Sequence, residues 1–183
     1  MPTREPDIEE IPPELMLEPL NWLFAEHYRH RQLCRTIDRL AAPGAYDGDR
    51  IARVLTFLRQ DLPLHVIDEE EDLFPLLRRR SQPGDELETV LGVLSAEHRT
   101  DIDKAANVSR HLERAREGRR APGHDPEARK SLTEFAAQER RHVALENAVV
   151  LPIARLRLSE NDLRTLSQRL AARRGILLEL GAA

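Results

Sequence analysis

The sequence predicts an all-α protein, an antiparallel up-down four-helix bundle with an additional C-terminal helix. Three observations predict it. Apolar residues advance in steps of three or four along four long segments, the spacing of one helix face. Short stretches bearing Pro and Gly separate those segments, and short connections favour antiparallel neighbours. A charged content of 33% with only 4% aromatics suits long solvated helices better than a β-sandwich.

Residues 1–14 read as an extended, proline-rich arm, 15–157 as the bundle and 158–183 as a C-terminal helix and tail. The first helix is expected from about Glu18 to Ala42, with Pro19 in its first turn, where a missing N–H is harmless. Pro43 to Gly48 breaks it, and Asp49 can cap a second helix reaching Arg80, kinked at Pro63 and near Pro75. Ser81 to Gly84 precede a third helix, about Asp85 to Glu117, and Gly118 to Gly123 form a loop. Asp125 followed by Pro126 is an N-cap and first-turn proline, opening a fourth helix to about Arg157. Ser159 with Asp162 resembles a capping box and starts a fifth helix to about Arg174. Its apolar face, Leu163, Leu166 and Leu170, is suited either to capping the bundle or, with Ile176, Leu177 and Leu178, to a homodimer contact.

Composition excludes several function classes. A net charge of −4 gives no reason to expect nucleic-acid or membrane binding. No run approaches the ~18 apolar residues of a membrane span. Cys34 is the single cysteine, which removes disulfide frameworks and cysteine-rich metal sites. The N-terminus lacks the apolar segment of a signal peptide, so a soluble cytoplasmic protein is expected.

One pattern occurs twice: HVIDEEEDLFP at 65–75 and HVALENAVVLP at 142–152. Of the seven histidines only His65 and His142 have Glu at i+4, and both also have Pro at i+10. On a helix this sets an imidazole beside a carboxylate. The stripes then place polar groups on faces that should be buried. They run Leu20, Leu23, His27, His30, Cys34 and Ile37 in the first helix, and Ile51, Leu55, Leu58, Leu62, His65, Glu69, Leu73 and Leu76 in the second. The third gives Leu87, Leu91, Leu94, His98, Ile102, Ala105, Val108 and Leu112, and the fourth Leu132, Phe135, Glu139, His142, Glu146, Val149 and Ile153. A buried carboxylate without a partner costs several kcal/mol, and Glu69 and Glu146 have no Lys or Arg on their own stripes. Bound cations resolve this. Imidazole with carboxylate suits iron, manganese or zinc, and two facing carboxylates can bridge ions ~3.5–4 Å apart.

These residues resemble the hemerythrin-like, or HHE cation-binding, family from about Leu20 to Ile153. The resemblance rests on Ala-Glu-His27, on His65 and Glu69 followed by Glu70-Glu71-Asp72-Leu73-Phe74-Pro75, on Ala-Glu-His98, and on His142 with Glu146. It implies a non-haem centre of two iron ions, with manganese or zinc as substitutes. Glu69 and Glu146 would bridge, and His27, His65, His98 and His142 would be terminal ligands. The oxygen carriers of that family have a second histidine where this chain has Ile102, and a five-residue spacing in the last pair where this chain has four. Open iron positions then imply binding or sensing of dioxygen, nitric oxide or peroxide rather than oxygen storage. The alternatives are iron–sulfur cluster repair or iron and electron donation, and an iron-responsive regulatory module. The four-residue spacing also marks the repair members, whose N-terminal cysteine segment is not seen here.

Several neighbouring residues have their own readings. His30 is either an extra ligand or a hydrogen-bonded core histidine. Glu139, three before His142, has a ferritin-like spacing without a counterpart in the second helix, and reads rather as a support group or an arginine partner. Tyr28 reads as packing, Glu70 and Glu71 as solvated, Cys34 as a buried thiol, and His111 and His124 as solvated.

Overall fold

The computed structural model describes residues 8–178. Among them every regular element is helical and no strand is present. Helix α1 is Pro19–Ala41, α2 covers 48–80, α3 is Leu87–Glu117, α4 covers 126–157 and α5 is Glu160–Arg173. The caps follow local chemistry. Asp125 accepts from the backbone N–H groups of Glu127 and Ala128, and Ser159 and Asp162 form the reciprocal capping box. Asp47, not Asp49, caps α2, its carboxylate accepting from the Arg50 N–H at 2.9 Å. Helix α3 begins two residues later than expected, because Pro83–Asp85 form a 3₁₀ turn and Glu86 is left-handed at φ 48°.

The prolines inside α2 and α4 are absorbed by widened turns. A proline cannot donate, and its ring collides with the carbonyl four residues back. Leu62 donates instead to the Phe57 carbonyl, Phe74 to that of Glu69, and Leu151 to that of Glu146, each five residues back. Pro63, Pro75 and Pro152 therefore each lie just past a π-helical segment: Phe57–Asp61, Asp68–Leu73 and Glu146–Val150. A π turn accommodates one extra residue, so it rotates the remainder of the helix about its axis. In α4 the buried face passes from Glu146 to Val150, Leu151 and Ala154, rather than to the expected Val149 and Ile153.

The buried apolar residues form two clusters. One contains Leu33, Ile37, Ile51, Val108, Leu132 and Phe135; the other contains Leu23, Leu73, Phe74, Leu91, Val150 and Leu166. Each such side chain contributes about 1.5–3 kcal/mol on burial, which is what draws the helices together. The candidate His and Glu residues fall between the two clusters along every long helix. Leu166 and Leu170 of α5 join the second cluster, with Ile176 and Leu178 packed against it, so α5 uses its apolar face on the bundle. Arg173 and Arg174, at its C-terminal end, ion-pair with Asp68 of α2. Gly123 has a purely steric reason: a Cβ there would overlap the Ala42 carbonyl at the end of α1.

Of the expected arm, residues 1–7 lie outside the described residues, as do 179–183 of the tail. The Glu9 N–H donates to Gln32 of α1, and Pro13–Leu17 form a 3₁₀ turn that buries Met16. Two expectations about packing fail. Ile102 is 42% exposed, and Asp101 takes the inward place beside Gln138 of α4. Tyr28 is 45% exposed, lying on the outer face of α1 under the Arg35 guanidinium.

Candidate metal centre

His27, His65, Glu69, His98, His142 and Glu146 converge between the two apolar clusters, each at most 4% exposed. They form two overlapping groups, His27–His65–Glu69–Glu146 and Glu69–His98–His142–Glu146, with donor atoms in each within 4.8 Å of one another. Glu69 and Glu146 belong to both. The Nε2 atom of His27 lies 3.5 Å from Glu69 and 3.3 Å from Glu146. His65 Nε2 is 3.6 Å and His98 Nε2 3.3 Å from Glu69, and His142 Nε2 is 3.1 Å from Glu146. The i, i+4 spacing supplies the His65–Glu69 and His142–Glu146 pairs directly, while the other contacts cross between helices.

A cation fits this donor set. Metal–donor bonds of about 2.1 Å separate neighbouring donors by about 3.0–3.4 Å in octahedral or tetrahedral geometry. The observed separations of 3.1–3.6 Å match that scale. The second sign is polar accounting. His27 Nε2, His65 Nε2 and both carboxylate oxygens of Glu69 and of Glu146 are buried with no hydrogen-bond partner among the described residues. Buried polar atoms are nearly always satisfied, so atoms left orphaned around one point mark where a ligand belongs.

Protonation responds to the same crowding. Burial disfavours the charged form of His65, but Glu69 and the Glu26 hydrogen bond outweigh it and push its pKa up to about 10. Burial likewise opposes charging of His142, and Glu146 overrides it, raising the group to about 11. Desolvation would raise Glu69, yet His65, His27 and His98 hold it well below the ordinary carboxylate range. With no cation, protons on the imidazoles take over the task of balancing the carboxylates.

Each imidazole is held from behind by a residue on another helix. His27 Nδ1–H donates to Asn147 at 2.8 Å, His142 to Glu97 at 2.8 Å and His98 to Glu70 at 2.7 Å, while His65 Nδ1 faces Glu26 at 3.4 Å. These contacts close a ring through the bundle: α1 to α4, α4 to α3, α3 to α2, α2 to α1. Such partners fix the tautomer so that Nε2 faces inward. The expectation that Glu70 is solvated is therefore corrected, since it also accepts from Ser95 Oγ at 3.0 Å. Glu71 is exposed and pairs with Arg173.

Sequence reasoning missed Glu26, Glu97 and Asn147 as supporting residues. A signal existed: Ala-Glu-His occurs at both 25–27 and 96–98, and the residue after each repeated Glu is again polar. Glu139 pairs with a histidine rather than an arginine. Its carboxylate lies 2.5 Å from His30 Nδ1, both groups buried, and the His30 ring sits 4.4 Å from that of His65. His30 lies outside both donor groups. Desolvation and then His65 lower its pKa, and the neighbouring His30 holds Glu139 down at about 2 against its own desolvation. Cys34 is a fully buried free thiol whose pKa burial raises strongly. His111 is half-buried, and the exposed His124 bonds the Gly44 carbonyl at 3.1 Å.

Fold and site together define a helical bundle with a buried His/Glu cluster able to hold metal. Residues 18–154 match the family model of the hemerythrin HHE cation binding domain, and the chain belongs to that family. No curated protein matches the chain.

Proposed function

We propose that this protein carries a non-haem di-iron centre and binds or senses small oxidants (dioxygen, nitric oxide or peroxide) in the cytoplasm. In this reading His27, His65, His98 and His142 are terminal ligands and Glu69 and Glu146 bridge. The observation that carries it is the sharing of Glu69 and Glu146 by both four-residue groups. Two carboxylates common to two donor sets, with every oxygen unpartnered, suit a pair of cations better than one. The antiparallel up-down order belongs to the same reading. Helices α1 and α3 enter the site from the cluster containing Leu23 and leave into that containing Ile37, while α2 and α4 run the other way.

In each group two imidazoles and the two shared carboxylates would offer an ion four protein donors. An ion preferring six keeps positions for water or an incoming ligand. Bound iron would supply the electrons and the coordination position that an oxidant needs. The chain's own part is to hold the donors and exclude bulk water through the apolar clusters above and below. It also keeps the His30–Glu139 pair buried beside His65. Manganese or zinc would occupy the same donors, since imidazole and carboxylate do not discriminate strongly.

Metal analysis and Mössbauer spectroscopy of freshly purified protein test the reading. Two irons per chain are expected, and exposure of the reduced protein to air or nitric oxide should change its visible absorption. A single zinc per chain, or iron indifferent to both oxidants, would sink it. The unpartnered buried carboxylates also favour a second role. Removing the ions should loosen the bundle, so folding itself would report iron supply.

A further inference from the structure

The contacts of the centre repeat in pairs, His27 corresponding to His98, Glu26 to Glu97, His65 to His142 and Glu69 to Glu146. By that correspondence Glu70, behind His98, matches Asn147, behind His27. The repeat is broken at this pair and again at Glu26. Behind His98 and His142 stand two carboxylates, Glu70 and Glu97, both 31% exposed. Behind His27 stands an uncharged amide. Behind His65 stands Glu26, buried, whose charge is already matched by Arg174 at 2.9 Å.

We propose that the two cation positions differ in affinity, the His98/His142 position filling before the His27/His65 position, because of the residues behind the imidazoles. This rests on the two-cation reading and adds an order to it. A carboxylate accepting from Nδ1–H makes Nε2 a better donor and adds negative charge near the ion. One position has two such groups. The other has an amide and a carboxylate neutralised by arginine.

Two further observations agree. Asn147 Nδ2 is buried with no partner among the described residues, so the uncharged amide stands behind His27 at a cost in unsatisfied polarity. Glu70 and Glu97 are also partly exposed, so their negative charge faces solvent on the His98/His142 side.

Stepwise anaerobic titration of the metal-free full chain with Fe²⁺, monitored by calorimetry and Mössbauer spectroscopy, tests the order. Wild type should show two steps at least tenfold apart. His27→Ala should keep the tight step within about threefold and lose the weak one; His98→Ala should lose the tight one. Because either alanine variant can compromise folding, the near-isosteric Glu70→Gln and Asn147→Asp carry the same question. Glu70→Gln should weaken the first step about tenfold or more and spare the second. Asn147→Asp should tighten the second and draw the steps together. Two equivalent steps in wild type, or a tight step lost with His27→Ala and kept with His98→Ala, would overturn the proposed order while leaving two cations in place. No uptake by wild type would overturn the two-cation reading itself, and the order with it.

Discussion

Glu97 of α3 accepts from Nδ1 of His142 on α4 at 2.8 Å, while its chain neighbour His98 turns to Glu70 on α2 at 2.7 Å. Adjacent residues thus hold two different helices in register. Because every inward-facing imidazole is oriented from a neighbouring helix, the donor set exists only when all four long helices are docked. Assembly of the bundle and assembly of the site are one event.

Replacing a residue of the candidate donor set should therefore reduce metal content and stability together. Glu69→Ala and His65→Ala are expected to bring iron from two per chain to one or fewer. The melting temperature should fall toward that of the metal-free wild type, since ligand binding contributes RT ln(1 + [L]/Kd). Metal analysis beside calorimetry checks this; full loading in either variant would remove that residue from the ligand set.

The pH dependence comes from the raised imidazoles. His65 at about 10 and His142 at about 11 hold protons near neutrality when no metal is present. Folded values above the unfolded value of about 6.5 mean stabilisation that is complete below about pH 6.5 and lost as pH rises through about 10–11. Metal-free protein should thus weaken at alkaline pH, and the loaded form should not. Each ion must also displace such protons, so affinity should rise with pH, with about two protons released near pH 7. Titration in buffers of different ionisation heat measures that release.

Arg174 bonds Glu26 and Asp68, which are 3% and 0% exposed, and stacks over Trp22. Arg174→Ala leaves Glu26 facing His65 without the guanidinium, whereas Asp68 keeps Arg173. A loss of about 3 kcal/mol in chemical denaturation is expected, at the low end for breaking a buried pair. A change below about 0.5 kcal/mol would show that α5 does not tie down the α1–α2 face.

Pro75 and Pro152 each close a π turn that starts near or at a candidate ligand. Pro152→Ala removes the ring conflict that disfavours a regular helix. Helicity by circular dichroism should stay the same, while iron affinity falls about tenfold as the register after Glu146 relaxes. Unchanged affinity would mean the turn is held by packing alone.

Cys34 should be inert in the native state, since it is fully buried and its pKa is raised by desolvation. A thiol reagent should modify it only on unfolding, at a rate that tracks denaturant concentration. Rapid labelling of the folded chain would contradict this burial.

The helices, their approximate ends and the six candidate donors were legible in the chain, because a polar residue on an apolar stripe is visible from spacing alone. Three features were not. The π turns shift the α4 face from Val149 to Val150, and stripe counting at 3.6 residues per turn has no way to register an extra residue. Asp101 replaces Ile102 on the inner face of α3 because Gln138 crosses there, which is a contact between helices. Glu70 looked solvated because its partner, His98, lies on a different helix.

What the sequence determined by itself was local: periodicity, capping, the repeated His–Glu–Pro pattern, and hence which side chains must share a buried face. Only the tertiary structure decided which imidazole leans on which partner, that α5 lies on the bundle, and that one half of the site is backed by two carboxylates and the other by an amide and an arginine-paired carboxylate. The physical reason is range. Helix periodicity acts over three or four residues, whereas those pairings join distant groups, His27 and Asn147 being 120 residues apart and Glu26 and Arg174 148, and form only as helices pack.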